Sequence, residues 1–208
     1  MKEVLRKTIY ADLEDNYEYL KDLFKNDTDV IFRRFYVGPW EAAIIYIEGL
    51  ADKNLLNDFV METLMIFGDR PHKIEEIKDT LLTVTDISEK NELDEAINAL
   101  LSGDTILMFD GIEVAYIIAT RAWPARGVSE PTSESVLRGP KEALVETMRF
   151  NTALVRRRLR DSRLKVESTK VGVRSKTDIA IMYIEDIVNQ DVLTQVREKL
   201  DKIQIDAI

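Results

Sequence analysis

Ala43-Ile44-Ile45-Tyr46-Ile47-Glu48 recurs 137 positions later as Ala180-Ile181-Met182-Tyr183-Ile184-Glu185. Both runs are rich in β-branched and aromatic residues, the composition of a strand packed on a core. Five residues after each glutamate a helical pattern opens, at Lys53-Asn54-Leu55-Leu56 and at Gln190-Asp191-Val192-Leu193. Upstream, Asp27-Thr28 and Val37-Gly38 match Asp161-Ser162 and Val171-Gly172 at a shift of 134, so the second hairpin carries a three-residue insertion. Two amphipathic strands can match by coincidence, but the flanking turns and following helices agree as well. That favours a repeated helix-strand-strand-helix unit. The expected fold is α/β (α+β): two small subdomains, residues 1–122 and 141–208, joined by an ordered crossover loop at 123–140.

Working outward from these strands, Leu13, Tyr17, Leu20 and Phe24 fall on one stripe of a helix from Asp12 to Lys25. Val30 to Gly38 and Glu41 to Leu50 read as strands around the Gly38-Pro39 turn, and Asp52 to Ile66 returns to helix. Lys73 to Leu82 and Ser88 to Leu101 read as two more helices, the second with Leu93, Ala96, Ile97, Leu100 and Leu101 facing inward. Thr105 to Thr120 is the most apolar stretch, broken at its centre by Asp110-Gly111. This dipeptide suits a type I′ hairpin turn, in which both central residues take positive φ. A helix from Pro140 to Arg160, strands Leu164 to Val171 and Asp178 to Val188, and a helix from Asp191 to Ile203 complete the chain.

At 208 residues, with 45% hydrophobic and 32% charged, the chain can bury a core without covalent staples. It has no cysteine and a single histidine, His72, in a polar turn, so neither thiolate chemistry nor a His/Cys zinc site can be built. No Gly-rich phosphate loop and no G-x-S-x-G elbow is present, and paired carboxylates such as Glu75-Glu76 suit a solvated helix face. The expectation is a non-enzymatic protein with no catalytic residues, no cofactor and no metal. The opening residues lack the apolar core of a signal peptide, and no run approaches ~18 apolar residues, so the expectation is a soluble chain.

The net charge of −9 is unevenly spread. From Arg138 to Lys176 there are twelve Lys and Arg against four Asp and Glu, a net of +8, which leaves −17 for the remainder. A polarised surface of this kind suits an acidic partner or membrane face; a solvated helix face balanced by acidic neighbours is the alternative. Nucleic acid is disfavoured by the overall charge and by the absence of interleaved aromatics.

The exceptional segment is Arg121-Ala122-Trp123-Pro124-Ala125-Arg126-Gly127-Val128-Ser129-Glu130-Pro131, continuing through Glu134, Arg138-Gly139-Pro140-Lys141-Glu142, Thr147, Arg149, Asn151, Leu154 and Arg156-Arg157-Arg158. Arginine forks closing on carboxylates would hold such an irregular loop in one shape. On a helix, Arg149, Arg156 and Arg160 share one face, with Leu144, Met148, Val155 and Leu159 as the apolar stripe. The candidate binding or subunit-contact residues are Arg121, Trp123, Arg126, Glu130, Arg138, Arg149, Arg156 and Arg157. A loop-bracing ion-pair network is the competing reading.

This run resembles the signature of the GerA spore germination proteins, A subunits, over Arg121 to Arg158; Asp27 to Leu50 and Gly103 to Thr120 resemble the family more loosely. The resemblance implies the soluble N-terminal domain of a germinant receptor A subunit, with two α/β subdomains that have some likeness to bacterial substrate-binding proteins. It implies partners in the B and C subunits and in other A copies, and a place at the spore inner membrane through a C-terminal membrane region absent from this chain, with the domain facing the spore core. Ion conduction would belong to that absent region. Receptor assembly and transmission of the nutrient signal are the expected roles. Direct binding of a small nutrient germinant in the cleft between subdomains is the alternative.

Overall fold

The computed structural model describes residues 5–67, 74–77, 86–122 and 143–205. The chain divides into two compact units, one made of Met1–Lys25 with Asp29–Trp123 and the other of Asn26–Thr28 with Pro124–Ile208. The architecture is mixed α/β, as the residue patterns require.

In the first unit, helix α1 (Leu13–Leu23) starts where the Asp12 carboxylate accepts the N–H groups of Glu14 and Asp15. It buries Leu13, Tyr17 and Leu20, with Phe24 just beyond its end. Strands β1 (Val30–Val37) and β2 (Trp40–Ile47) follow as an antiparallel hairpin with Val30 opposite Ile47 and Val37 opposite Trp40. Asp52 caps the next helical stretch, which runs as α2 (Lys53–Leu55), a π-helical segment Leu56–Met61 and α3 (Glu62–Phe67). The wider π turn brings Leu56, Val60, Met61 and Leu64 into one core.

Strand β3 (Ile87–Lys90), helix α4 (Leu93–Leu101) and strands β4 (Thr105–Phe109) and β5 (Ala115–Ile118) complete a five-stranded antiparallel sheet ordered β1-β2-β4-β5-β3. Every residue of β4 and β5 is buried. Ala42, Ile44, Leu107 and Phe109 pack with the residues of the α2–α3 stretch, while α1 and α4 pack on the sheet as well. Covering both faces is what makes these strands continuously apolar rather than alternating.

Three sequence expectations are corrected here. Ser88–Lys90 is strand, not the start of a helix, because Ile87–Lys90 pairs along β5 and the helix opens only at Leu93. Within the expected helix Lys73 to Leu82 the described residues are a 3₁₀ turn, Ile74–Glu76, and the helical Ile77; residues 73 and 78–82 lie outside the described residues. Asp110-Gly111 is not a type I′ turn: only Gly111 has positive φ, at 86°, and residues 110–114 form a longer connection. The loop has another task, since the Asp110 carboxylate accepts the Leu13 N–H at 3.1 Å and the Gly111 N–H donates to Ala11 at 2.8 Å. It therefore pins the entry to α1.

In the second unit, helix α5 (Met148–Arg158) precedes the hairpin β6 (Leu164–Val171) and β7 (Thr177–Ile184), and α6 (Gln190–Asp201) closes it behind an Asn189 cap. Leu164 pairs with Ile184 and Val171 with Thr177. The third correction is the length of α5. It begins eight residues later than expected from Pro140, because the Asn151 side chain reaches back to both the N–H and the carbonyl of Val145 and holds that residue outside the helix. Its buried face is Thr152, Ala153, Leu154 and Arg156, whereas Leu144 and Leu159 of the expected apolar stripe are exposed.

Gly111 sits at φ 86° with nothing within 4 Å of an added Cβ. Any substitution cost there is conformational rather than steric. Gly111→Val should lower stability by about 1–2 kcal/mol, and Gly111→Asn by less, because Asn tolerates the left-handed region and a β-branched residue does not. Denaturation midpoints compare the two; equal values would place the constraint elsewhere.

Candidate functional site

Arg121 stands at the end of the first unit's sheet, on an isolated bridge with Ala51. Its guanidinium forks onto Asp104, Nε to Oδ1 at 2.8 Å and Nη2 to Oδ2 at 2.5 Å. Asp104 is buried while the Arg121 side chain is about half exposed, at 47%. The Asp104 hydrogen bonds hold the Arg121 guanidinium above its ordinary value, in its charged form. Gly103, at φ 99° with Leu50 Cβ at 3.3 Å from where its own Cβ would lie, admits the close approach of backbone that sets Asp104 in place.

Trp123, Arg126, Glu130 and Arg138 lie outside the described residues. Arg149 is exposed and Arg157 half-buried on α5. Arg156 departs from the helical-face expectation. Instead of sharing a solvated face with Arg149 and Arg160, it is 1% exposed and among the largest fully buried side chains of the protein.

Around Arg156 the second unit builds a buried charge cluster. Arg156 Nη2 donates to Asp27 Oδ1 at 2.7 Å, and Nη1 donates to the Leu164 carbonyl at 3.1 Å. Lys165 Nζ lies 3.5 Å from Asp27 Oδ2 and donates to the Ser162 carbonyl at 3.1 Å. The backbone N–H of Val166 donates to Asp27 Oδ1 at 2.8 Å. Glu185, partly exposed, lies 3.6 Å from the same ammonium and balances the second positive charge. Removing one member of a buried ion cluster costs about 3–5 kcal/mol, since the charge left behind has no water. The half-exposed Arg121–Asp104 pair is worth far less on that scale, because a released Arg121 would hydrate.

A second network lines a groove of about 210 Å³ bounded by Glu167, Thr169, Ile181, Arg197, Leu200 and Asp201. Arg197 grips Glu167 through Nε at 2.9 Å and Nη2 at 2.5 Å, and the Tyr183 hydroxyl donates to the same carboxylate. The Arg197 guanidinium, helped by the Tyr183 hydroxyl, holds Glu167 below its usual 4.5. Burial and the adjacent Glu167 carboxylate push Tyr183 up to about 12. Arg163 locks the turn before β6 by forking onto Asp161 and reaching Asp186 at 2.6 Å. Among the described residues no group of three or more His, Cys, Asp and Glu could hold a metal ion.

Sequence reasoning named Arg121 and Arg156 but none of their partners. Asp104, Lys165, Glu167 and Arg197 carried no signal of their own. Asp27 had one, as the counterpart of Asp161 in the internal match. Each precedes a hairpin's first strand and caps a backbone N–H, Val166 for Asp27 and Arg163 for Asp161.

The family profile for the Bacillus/Clostridium GerA spore germination protein matches residues 18–208. The chain belongs to the GerA family. It is 35% identical over 204 residues to Stage V sporulation protein AF of Bacillus subtilis (strain 168), covering 96% of this chain and 41% of that protein. It is 30% identical over 205 residues to Spore germination protein KA of the same organism, covering 96% and 38%. The chain thus spans about two fifths of the length of these relatives. The crystal structure of the N-terminal domain of the A subunit of the Bacillus megaterium spore germinant receptor GerK3 superposes with a TM-score of 0.76 at 27% identity, covering 98% of this chain and 76% of that one. Within the GerA family, then, the counterpart of this chain is the N-terminal domain of the germinant receptor A subunit. No helix among its described residues is long and apolar enough to cross a membrane.

The Glu167 network sets a pH dependence of stability at both ends of the scale. Because the folded value of Glu167 lies below 4.5, its contribution is present above 4.5 and is lost as pH falls through the folded value. Because Tyr183 is raised above 10, its contribution is present below 10 and is lost as pH rises towards 12. Melting midpoints of the parent should therefore fall more steeply than those of Glu167→Gln on the acid limb and again on the alkaline limb; parallel curves would exclude the network as the cause.

Proposed function

We propose that this chain is a non-enzymatic signalling and assembly domain of a germinant receptor A subunit, and that the Arg121 to Arg158 segment is the joint on which its signalling depends. The supporting observation is that the two described ends of this segment are each fixed by an arginine on a buried carboxylate, Arg121 on Asp104 and Arg156 on Asp27. A Gly- and Ser-rich crossover loses roughly 1–2 kcal/mol of chain entropy per ordered residue, so anchoring both ends is what a joint needs. In this reading residues 123–140 connect functional parts 1–122 and 141–208, the B and C subunits and other A copies are its partners, and a membrane region elsewhere in the subunit holds the receptor at the spore inner membrane with this domain on the core side.

Charge reversal in the crossover tests it. In spores whose A subunit carries Arg126→Glu in the full-length chain, nutrient-triggered germination should be blocked while the receptor subunits accumulate to normal levels. Depletion of the subunit instead would reduce the segment to structural bracing, and normal accumulation with normal germination would refute the joint.

A second reading, direct binding of a small nutrient, is favoured by one feature: the mainly apolar groove of the second unit beside Arg197 and Thr169, which is large enough for a solute of amino-acid size. Calorimetry of the chain against an amino-acid panel separates the two. Heat from one ligand, abolished by Arg197→Met, supports sensing, and silence across the panel leaves assembly and transmission.

A further inference from the structure

The chain leaves the first unit after Lys25, contributes Asn26–Thr28 to the second, and re-enters the first at Asp29. With the passage at 123/124, the two units are therefore joined by peptide bonds at three places. The three-residue insert has little apolar surface to hold it, since Asn26 and Thr28 are exposed and only Asp27 is buried. What seats it is polar. Asp27 accepts the Val166 N–H at 2.8 Å, and the Thr28 N–H donates to the Val166 carbonyl at 2.9 Å. Both backbone groups of Val166 are thereby taken by the insert along the outer edge of β6. The Thr28 hydroxyl adds contacts to the Val166 carbonyl at 2.9 Å and the Ser168 hydroxyl at 2.7 Å.

The insert has little slack. Phe24 before it and Val30 after it are buried in the first unit, at 2% and 6% exposure. Only five residues, 25–29, lie between these anchors with Asp27 at their midpoint, so little coil is available to absorb a shift of its seat. The cation that grips Asp27 belongs to α5, the first described element after the third connection, and so Arg156 stands on both covalent routes. We infer that the Asp27–Arg156–Lys165 cluster is a coupling latch: while Asp27 is seated, a displacement of α5 or β6 is passed through residues 26–28 to α1 and β1. The latch rests on the signalling reading above and gives it a route.

The test separates positioning from mere stability. Replacing a buried ion cluster by apolar residues of similar volume is often neutral in stability. The triple variant Asp27→Leu/Arg156→Met/Lys165→Met should therefore melt close to the parent but release the insert. The expected result is Thr28 amide hydrogen exchange at least about tenfold faster, with interior amides of β2 and β7 unchanged. In spores carrying the same changes in the full-length subunit, the germination rate should fall by about tenfold at normal subunit levels. Thr28→Val is isosteric and loses only the hydroxyl contacts; it should accelerate exchange severalfold and keeps the test decisive if the triple variant does not fold. Unchanged Thr28 exchange overturns the latch, and so does released exchange with normal germination. Should Arg126→Glu germinate normally, the signalling reading itself fails; should Arg126→Glu block germination while the released-insert variants do not, only the latch fails.

Discussion

An ionised carboxylate removed from water costs several kcal/mol unless cations and hydrogen bonds replace its hydration, and the second unit is arranged around supplying them to Asp27. Its side chain has no exposed surface. One guanidinium, one ammonium and one backbone N–H converge on it, and they come from α5 and from two consecutive residues of β6. Arg156 in turn needs acceptors, and finds a second in the Leu164 carbonyl. The helix, the strand and the insert are thus mutually dependent: none of the three buried charges could stay where it is without the others. A hairpin of only two strands gives little core by itself. Directional polar contacts supply the definition that hydrophobic area does not.

The first unit solves its problem differently. Its sheet is covered on both faces, every residue of β4 and β5 is buried, and its core is apolar. Its buried acid Asp104 sits at the rim where Arg121 can reach it from solvent. The described part of the germination signature thus begins at the edge of a conventional hydrophobic core and ends inside an electrostatic one.

Much of this was legible because local patterns dictate it. The Leu13, Tyr17, Leu20 and Phe24 stripe buries as its period requires, and β1, β2, β6 and β7 lie within a few residues of the runs that named them. Two of the misreadings share a cause, a partner far away in sequence. Ser88–Lys90 has helix-compatible residues but finds the free edge of β5. Arg156 lies seven residues from Arg149 and four from Arg160, which on a wheel marks a basic face; its burial is decided by Asp27, 129 positions earlier. No period in α5 encodes that distance. The Asp27 to Asp161 match pointed at the right residue but gave no hint that the two carboxylates serve different ends. Asp161 closes its own turn through Arg163, while Asp27 takes the N–H of Val166 on β6, 139 positions away.

The same partners change what the basic stretch can do. From composition alone, Arg138 to Lys176 offers a net +8 to an acidic partner. Inside the fold Arg156 and Lys165 are consumed by Asp27 and Glu185. Arg163 is committed to Asp161 and Asp186, and Lys170 lies 3.4 Å from Asp178. Several of the partners, among them Asp27, Asp178, Glu185 and Asp186, lie outside the stretch in sequence, so the excess is partly cancelled by residues that the linear count assigned to the acidic remainder. Buried or bidentate positive charge cannot steer an approaching partner, because its field is already closed on a near neighbour. The charge asymmetry of this sequence therefore serves the interior of the second unit first.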